Sequence, residues 1–380
     1  MKLGEVCDIN RGVRVVKKDL HKTGLFPVYQ NSMIPLGFYD NSNYPAGTTF
    51  VISAGSAGEV GYSDVDFWAA DDCLCITCPD YICNKFVYYN LINKQHMLKS
   101  RVRKASVPRL SRSAVEKIEI PLPPLEIQNE IVRILDKFAS LAAELQAELQ
   151  ARQKQYEYYR DKLLTFAKNG GGTQGVTWMK MSEILYSIRT GLNPRKFFKL
   201  NTPDAHSYYV TIREFNGGRL VFSDSTDRIN ESARMLCNNR SNLEVNDVLF
   251  SGTGTIGETF VIDSTPLNWN IKEGVYALKP KLHIIYPKYL KYILSQSEIK
   301  SGYIKLAEGG TVKSISMKKL NVFSIPVPTL SEQERIINIL DKFEALTSDL
   351  SQGLPAEIKA RQQQYEYYRN RLLTFKRKTA

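Results

Sequence analysis

The sequence predicts an α+β protein built as a pseudo-twofold tandem repeat, with two β-rich globules separated by two long antiparallel coiled-coil helices. Three observations predict it. First, Ala151 to Phe166 (ARQKQYEYYRDKLLTF) returns as Ala360 to Phe375 with three substitutions in sixteen positions: Lys154/Gln364, Asp161/Asn370 and Lys162/Arg371. Second, the copy extends upstream. Ile120-Pro121-Leu122-Pro123 answers Ile325-Pro326-Val327-Pro328, and Ile134 to Phe138 answers Ile339 to Phe343. Third, each copy carries apolar residues at helical heptad spacing, whereas the segments before the copies are short apolar runs cut by turn residues. Repetition on this scale decides the architecture before any single motif is read.

The elements follow in order. Residues 1–119 form the first globule, with turns such as Pro45-Ala46-Gly47 and Asn41-Ser42-Asn43 between apolar runs such as Thr49 to Ser53. Residues 120–168 form the first long helix, stiffened at its start by Pro121, Pro123 and Pro124. Its seam is Ile127, Ile131, Ile134, Phe138, Leu141 and Leu145, then Leu149, Tyr156, Tyr159, Leu163 and Phe166, in steps of three and four. Residues 169–176, rich in glycine, read as a flexible linker. Residues 177–324 form the second globule, which repeats the first only loosely. Leu3 to Gly12 resembles Met181 to Gly191, and Phe50-Val51-Ile52-Ser53 resembles Val248-Leu249-Phe250-Ser251. Gly58-Glu59 likewise resembles Gly257-Glu258.

Residues 325–376 form the second helix, with Ser331-Glu332-Gln333-Glu334 as a capping box at its start. Its seam is Ile336, Ile339, Phe343, Leu346, Leu350, Leu354, Ile358, Tyr365, Tyr368, Leu372 and Phe375. Four extra residues make a stutter, and Pro355 inside it predicts a kink or interruption. One helix of roughly 40 to 45 residues spans about 60 to 68 Å and cannot bury its own seam; two can, by pairing.

The 51 basic against 39 acidic side chains give a net charge of +12 and direct attention to an anionic partner such as nucleic acid. No run reaches the roughly 20 apolar residues of a membrane span. The start lacks the apolar core of a secretory signal, and six cysteines in a chain of 380 residues read as cytoplasmic thiols.

Motifs of catalysis fail on context. Gly252-Thr253-Gly254-Thr255-Ile256-Gly257 matches the dinucleotide pattern by letter, but the following Glu258 to Asp263 reads as a strand, so a glycine turn between strands is the better account. Ala54-Gly55-Ser56-Ala57-Gly58 lacks the first glycine of a serine nucleophile elbow. His21, His96, His206 and His283 form no pair at ligand or triad spacing. Cys73, Cys75, Cys78 and Cys83 suggest zinc, yet alignment through Pro79 and Pro280 puts Gly274, Tyr276 and Lys279 opposite the first three, so no metal is expected. The Asn/Asp-Pro-Pro-aromatic motif of a methyltransferase is missing, and Pro203-Asp204 lies too far from Glu298-Ile299-Lys300 for a nuclease. The chain binds rather than catalyses.

The binding signal is basic. Lys94, Lys99, Arg101, Arg103, Lys104, Arg109 and Arg112 share a stretch without an acidic residue between Asp80 and Glu116, and Arg11, Arg14, Lys17 and Lys18 form a second set. In the other globule Arg189, Arg195, Lys196, Lys199, Arg213, Arg219, Lys272 and Lys313 are interleaved with Asn193, Asn216, Asn268 and Asn270. Arg and Lys suit phosphates and guanine edges, and Asn suits adenine.

The order globule, Ile120-Pro-Leu-Pro-Pro-Leu-Glu-Ile-Gln128, helix, second globule, Ile325-Pro-Val-Pro-Thr-Leu-Ser-Glu-Gln333, helix resembles the DNA-specificity subunit of type I restriction-modification systems over the whole chain. The resemblance implies that the globules are target-recognition domains, each for one half of a bipartite asymmetric site on double-stranded DNA. It implies that the helices fix the gap and dock two methyltransferase subunits, with restriction subunits joining the full complex. No cofactor is expected on this chain, S-adenosylmethionine and ATP belonging to the partners. The setting implied is the cytoplasm of a bacterium or archaeon. Two alternatives stay open: a partner that fuses methyltransferase and nuclease, and a coiled-coil scaffold for protein interaction.

Overall fold

The computed structural model describes residues 1–166, 175–348 and 353–375, without the side chains of Arg195, Lys196 and Ser348. The chain divides into two compact units, Met1–Ala147 with Glu357–Ala380, and Glu148–Ala356. Each unit therefore holds one globule, the opening part of its own long helix and the closing part of the other.

In the first unit the strands are β1 (Asp8–Arg11), β2 (Phe26–Tyr29), β3 (Gly37–Tyr39), β4 (Thr48–Ile52), β5 (Val60–Ser63), β6 (Trp68–Ala69) and β7 (Cys73–Thr77). They form an antiparallel sheet in the order β1-β7-β4-β5 and a smaller sheet in the order β3-β2-β6, with β2 and β6 parallel. Helices α1 (Asn84–Asn93), α2 (Gln95–Ser100) and α3 (Arg112–Glu116) follow, then α4 (Leu125–Leu163). The β4 strand is buried at every residue, as a central strand covered on both faces must be.

The second globule contains β8 (Thr177–Lys180), α5 (Met181–Ile184), β9 (Leu185–Thr190), α6 (Pro194–Phe197), β10 (Ser207–Val210), β11 (Phe215–Asn216), β12 (Arg219–Leu220), β13 (Arg228–Ile229) and α7 (Glu231–Ser241). It continues through β14 (Val248–Ser251), β15 (Thr259–Val261), β16 (Trp269–Ile271), β17 (Val275–Pro280), α8 (Pro287–Ser295), α9 (Ser297–Ile304), α10 (Met317–Asn321) and β18 (Ser324–Val327). Helices α11 (Leu330–Ser348) and α12 (Leu354–Leu372) close the chain. Here the main sheet runs β9-β17-β14-β15 and the smaller one β13-β10-β16, with β10 and β16 parallel. These orders are those of the first globule, strand for strand. The loose sequence match therefore hides one fold used twice.

The hydrogen bonds correct the register read from sequence. Gly58 N–H donates to Ile52 O and Gly257 N–H to Ser251 O; Ser53 N–H donates to Asp72 O and Gly252 N–H to Gly274 O. Ile52 thus corresponds to Ser251, one residue away from the sequence match, and Cys73, Cys75 and Cys78 stand opposite Val275, Ala277 and Pro280. The slip arises because matching letters in a two-residue period cannot fix which face a strand shows, whereas the sheet does. With this register, Ala54-Gly55-Ser56-Ala57-Gly58 and Thr253-Gly254-Thr255-Ile256-Gly257 are the same turn. Gly55 and Gly254 have φ of +81° and +80°, and Gly58 and Gly257 have φ of +86° and +96°. The apparent serine elbow and the apparent dinucleotide motif are two copies of one strand connection that needs glycine twice.

Each long helix is anchored to its globule by a buried glutamine. Gln128 accepts from Cys83 N–H at 2.9 Å and donates to Tyr81 O and Pro123 O at 3.2 and 2.9 Å. Gln333 accepts from Tyr286 N–H and donates to Ile284 O and Pro328 O, all at 2.9 Å. About two turns along, Tyr89 donates to Asp136 at 2.5 Å and Tyr292 to Asp341 at 2.6 Å, while Lys85 and Lys288 pair with the same two carboxylates. The predicted capping box is displaced: α11 starts at Leu330, and Thr329 Oγ1 accepts from Glu332 N–H, so Thr329 caps the helix in place of Ser331. Beginning two residues earlier aims Gln333 inward.

The opening turns of each long helix pack beside the closing turns of the other, which is the antiparallel pairing. In the first unit Ile131 and Leu135 cluster with Phe86, Tyr89, Tyr365 and Leu373, and Phe138 stacks on Tyr368 at 5.3 Å. In the second Ile336 and Leu340 join Leu164, Tyr156, Tyr289 and Tyr292, and Tyr159 stacks on Phe343 at 5.7 Å. Leu135 and Leu340, absent from the predicted seam, are fully buried against their globules and contribute roughly 1.5–3 kcal/mol each.

Other seam positions shift too. Ile134, Leu141 and Ile339 are half-buried and Leu145 is buried, but Ile127 and Leu346 are exposed. The reason is that the 3.6-residue turn drifts from a strict heptad, and burial passes to Thr347. Leu350 lies outside the described residues, as does most of the predicted linker. Helix α11 is described as far as Ser348, Gly353 is a bend outside any helix, and α12 starts at Leu354 with Pro355 in its first turn, the interruption that the proline predicts. Among the described residues no helix is long and apolar enough to cross a membrane.

Candidate nucleic-acid interface

The repeated turn sits at one end of the main sheet of each globule and is closed by a hairpin. Gly55 N–H donates to Pro108 O and Leu110 N–H to Ser53 O; Gly254 N–H donates to Lys313 O and Ile315 N–H to Gly252 O. Arg103 bridges Arg109 exactly where Glu308 bridges Ser314. Past the hairpin, Ser111 and Ser316 cap α3 and α10 by accepting from Ala114 and Lys319 N–H. On the opposite side, Gly12 and Gly191 pass so close to the small sheet that a Cβ would lie 2.2 Å from Ala69 O or 1.6 Å from Ile271 O. Only glycine fits at either position. The next carbonyls, of Val13 and Leu192, accept from Trp68 Nε1 and the Tyr209 hydroxyl.

In the second globule these elements enclose a cleft of about 560 Å³ lined by Thr190, Asn193, Thr211, Arg240, Thr253, Lys272, Glu273, Ser314 and neighbouring residues. It is uncharged on its hydroxyl side, basic at Lys272 and Arg240, and acidic at Glu273. Lys313 is exposed on the hairpin beside it. In the first globule the same positions belong to Arg11, Arg14, Asp71, Asp72, Arg109 and Arg112. Burial raises the Asp72 carboxyl above its ordinary range, Asp71 adds to the rise, and Arg109 and Arg11 oppose it. One carboxylate therefore feels guanidiniums from both basic sets of the sequence, which lie a hundred residues apart in the chain.

The other predicted residues divide. Lys17 and Lys18 lie exposed on a 3₁₀ turn, Lys99 on α2, and Lys104 at the hairpin tip. Arg101 donates to Ala114 O at 2.9 Å, and Arg112 pairs with Glu116 at 2.7 Å, so both also hold α3. Arg213 pairs with Asp227 at 2.6 Å. Arg189 is not part of the Asn193 cleft and lines a separate one with Glu244, Asp247 and Lys279. Asn216 and Arg219 belong to a β-hairpin whose Gly218 sits against Lys291 and Glu344. The side chains of Arg195 and Lys196 are not described.

Asn270 is corrected outright. It is 1 % exposed, accepts from Ser241 Oγ and Ile271 N–H, and donates to Asn238. These bonds tie its amide into the globule, where burial keeps it from a base. Arg240, Thr253 and Ser314 are absent from the sequence reading; matching the two glycine turns exposes Thr253.

Among the described residues no group of His, Cys, Asp and Glu could hold a metal ion. Burial pushes the Cys73 thiol up to about 12 and the Cys237 thiol up to about 11, and raises Cys75 as well, the state of core cysteines.

Comparison with known proteins agrees with this organisation. The family model for the type I restriction modification DNA specificity domain matches twice, over residues 1–152 and 174–360. The EcoR124I/EcoR124II type I restriction enzyme specificity subunit of Escherichia coli is 33% identical over 403 residues, covering 98% of this chain and 93% of that protein. A Haemophilus influenzae protein named as a type I restriction enzyme specificity subunit is 30% identical over 396 residues, covering 98% and 94%. Among solved structures, the S subunit of a type I restriction-modification system from M. genitalium superposes with a TM-score of 0.62 at 17% identity, covering 99% of this chain and 96% of that one, a likeness of fold.

Proposed function

The chain belongs to the type I restriction-modification DNA specificity family, and we propose that it is a non-catalytic, sequence-specific subunit that reads a bipartite, asymmetric site on double-stranded DNA. The observation that carries this reading is one sheet end built twice on the same backbone, with different side chains at the matching positions. Identical linings would read a repeated half-site; unlike ones read two different half-sites. Joining two modest readers in one chain raises affinity through effective concentration, and basic side chains around each cleft supply the phosphate attraction.

The long helices serve as the platform for methyltransferase subunits and set the gap between half-sites. Supporting this, the sixteen-residue repeat keeps exposed positions that the fold does not require: Gln153/Gln362, Glu157/Glu366 and Tyr158/Tyr367, the tyrosines 60% and 56% exposed. Solvent-facing identity in two places suits two copies of one partner. S-adenosylmethionine and ATP then belong to methyltransferase and restriction subunits, and the assembly works in the cytoplasm, where the DNA is. Methylation mapping across a genome in cells expressing the chain with its methyltransferase partner tests the reading. A bipartite motif that vanishes when this chain is deleted is the expected result; an active partner with no such motif overturns it.

A further inference from the structure

The repeat allows the cleft of the second globule to be compared, position by position, with the same sheet end of the first. Gly12/Gly191, Gly55/Gly254, Gly58/Gly257 and Ser111/Ser316 are the same residue in both and build the backbone. The positions between them differ: Arg11 stands for Thr190, Arg14 for Asn193, and Arg109 for Ser314, by the register and hydrogen bonds given above. All three arginines are exposed, and two of them act electrostatically on Asp72. Three scaffold-equivalent positions are thus cationic in one globule and neutral hydrogen-bonding groups in the other.

We infer that these three positions determine the half-sites: the first globule reads guanine through Arg11, Arg14 and Arg109, and the second reads an adenine through Asn193, flanked by Thr190 and Ser314. A guanidinium donates two parallel hydrogen bonds to guanine O6 and N7, and a carboxamide both donates to and accepts from adenine N6 and N7. The inference rests on the DNA-specificity reading and goes beyond it in assigning the bases and the residues.

The test uses the full chain with its methyltransferase subunit and a randomised duplex library, sequencing what is bound. Wild type is compared with Arg14→Asn and Arg109→Ser, which give the first globule the second's residues, and with Asn193→Arg. The two arginine sites are exposed, so those variants are expected to fold, and unchanged melting temperatures verify it. Each arginine variant should lose guanine preference at one position of one half-site by about 5- to 150-fold, the range of a bidentate pair, with the other half-site unchanged. Asn193→Arg should alter only that other half-site. An unaltered consensus, or equal weakening on every sequence, overturns the inference, since the latter marks phosphate contacts. A wild-type chain that enriches no bipartite motif overturns instead the specificity reading beneath it.

Discussion

Replacing Gln333 with alanine is the most direct test of how the long helices are fixed to the globules. The side chain is fully buried and makes three hydrogen bonds of 2.9 Å to backbone groups of two different segments. At about 1 kcal/mol net for each bond, its loss costs about 3 kcal/mol. For a unit of this size that corresponds to a fall of about 6–12 °C in Tm. Urea unfolding supplies the free energy, and hydrogen exchange supplies the location: the Tyr286 amide should lose protection in Gln333→Ala, and the Cys83 amide in Gln128→Ala. Gln333→Glu sharpens the test. Its carboxylate would face two carbonyl oxygens in a buried place, which raises its folded-state pKa above the unfolded value. The deficit is then largest above that raised pKa and shrinks as pH falls through it, because protonation restores one donor. Gln153→Ala, exposed on α4, is the control and should stay within about 0.5 kcal/mol. A Gln333→Ala loss no larger than the control's would refute the reasoning.

Four further outcomes are expected. Arg103→Ala with Lys104→Ala should weaken DNA binding and lower the slope of log affinity against log salt by about 1.8, two phosphate contacts' worth, while leaving melting unchanged; Arg101 is spared because it holds Ala114 O. Removing four residues from the middle of α4 shortens it by about 6 Å, close to two base-pair steps of about 3.4 Å, so sequencing of bound DNA should show a changed gap and unchanged half-sites. Tyr158→Ser and Tyr367→Ser should each cost under about 0.5 kcal/mol in urea and each release one of two methyltransferase copies in native mass spectrometry, with the double variant releasing both. Ellman's reagent at pH 8 should leave Cys73 and Cys237, with thiols raised to about 12 and about 11, unmodified until denaturant is added; prompt reaction would contradict their burial.

The repeat, the two helices and the interruption at Pro355 were legible because helices write their contacts locally: a residue, its neighbour three or four along and a proline say most of what matters. The globules were less legible. Their strands pair residues far apart in the chain, as Thr190 and Tyr276 or Thr177 and Val327 do, and nothing local marks which letters face each other. That is why Val248 to Ser251 was matched one residue out of register. It is also why the basic stretch from Lys99 to Arg112 was legible while the fact that Arg109 and Arg11 both act electrostatically on Asp72 was not. Asn270 misled for a related reason. An asparagine among basic residues looks the same in a string whether its amide faces a base or completes a buried network with Ser241 and Asn238.

What the two halves keep and what they change separates scaffold from specificity without any alignment of relatives. Kept residues share a physical demand that tolerates little else. Gly12 and Gly191 have carbonyl oxygens where a Cβ would be, Gln128 and Gln333 satisfy three backbone groups in a space closed to water, and Tyr89 and Tyr292 bury a ring while donating to a helix carboxylate. Changed residues cluster at the open end of the sheet, where Arg11, Arg14 and Arg109 replace Thr190, Asn193 and Ser314 without touching any of those supports. A scaffold arranged in this way lets one half-site change while the other globule and both helices stay as they are. The same independence predicts that exchanging the three cleft residues together carries more of the base preference than exchanging any one. Arg11 and Arg109 both act electrostatically on Asp72, so their free energies are expected not to add. A triple exchange whose effect equals the sum of its singles would mean that the arginines act separately.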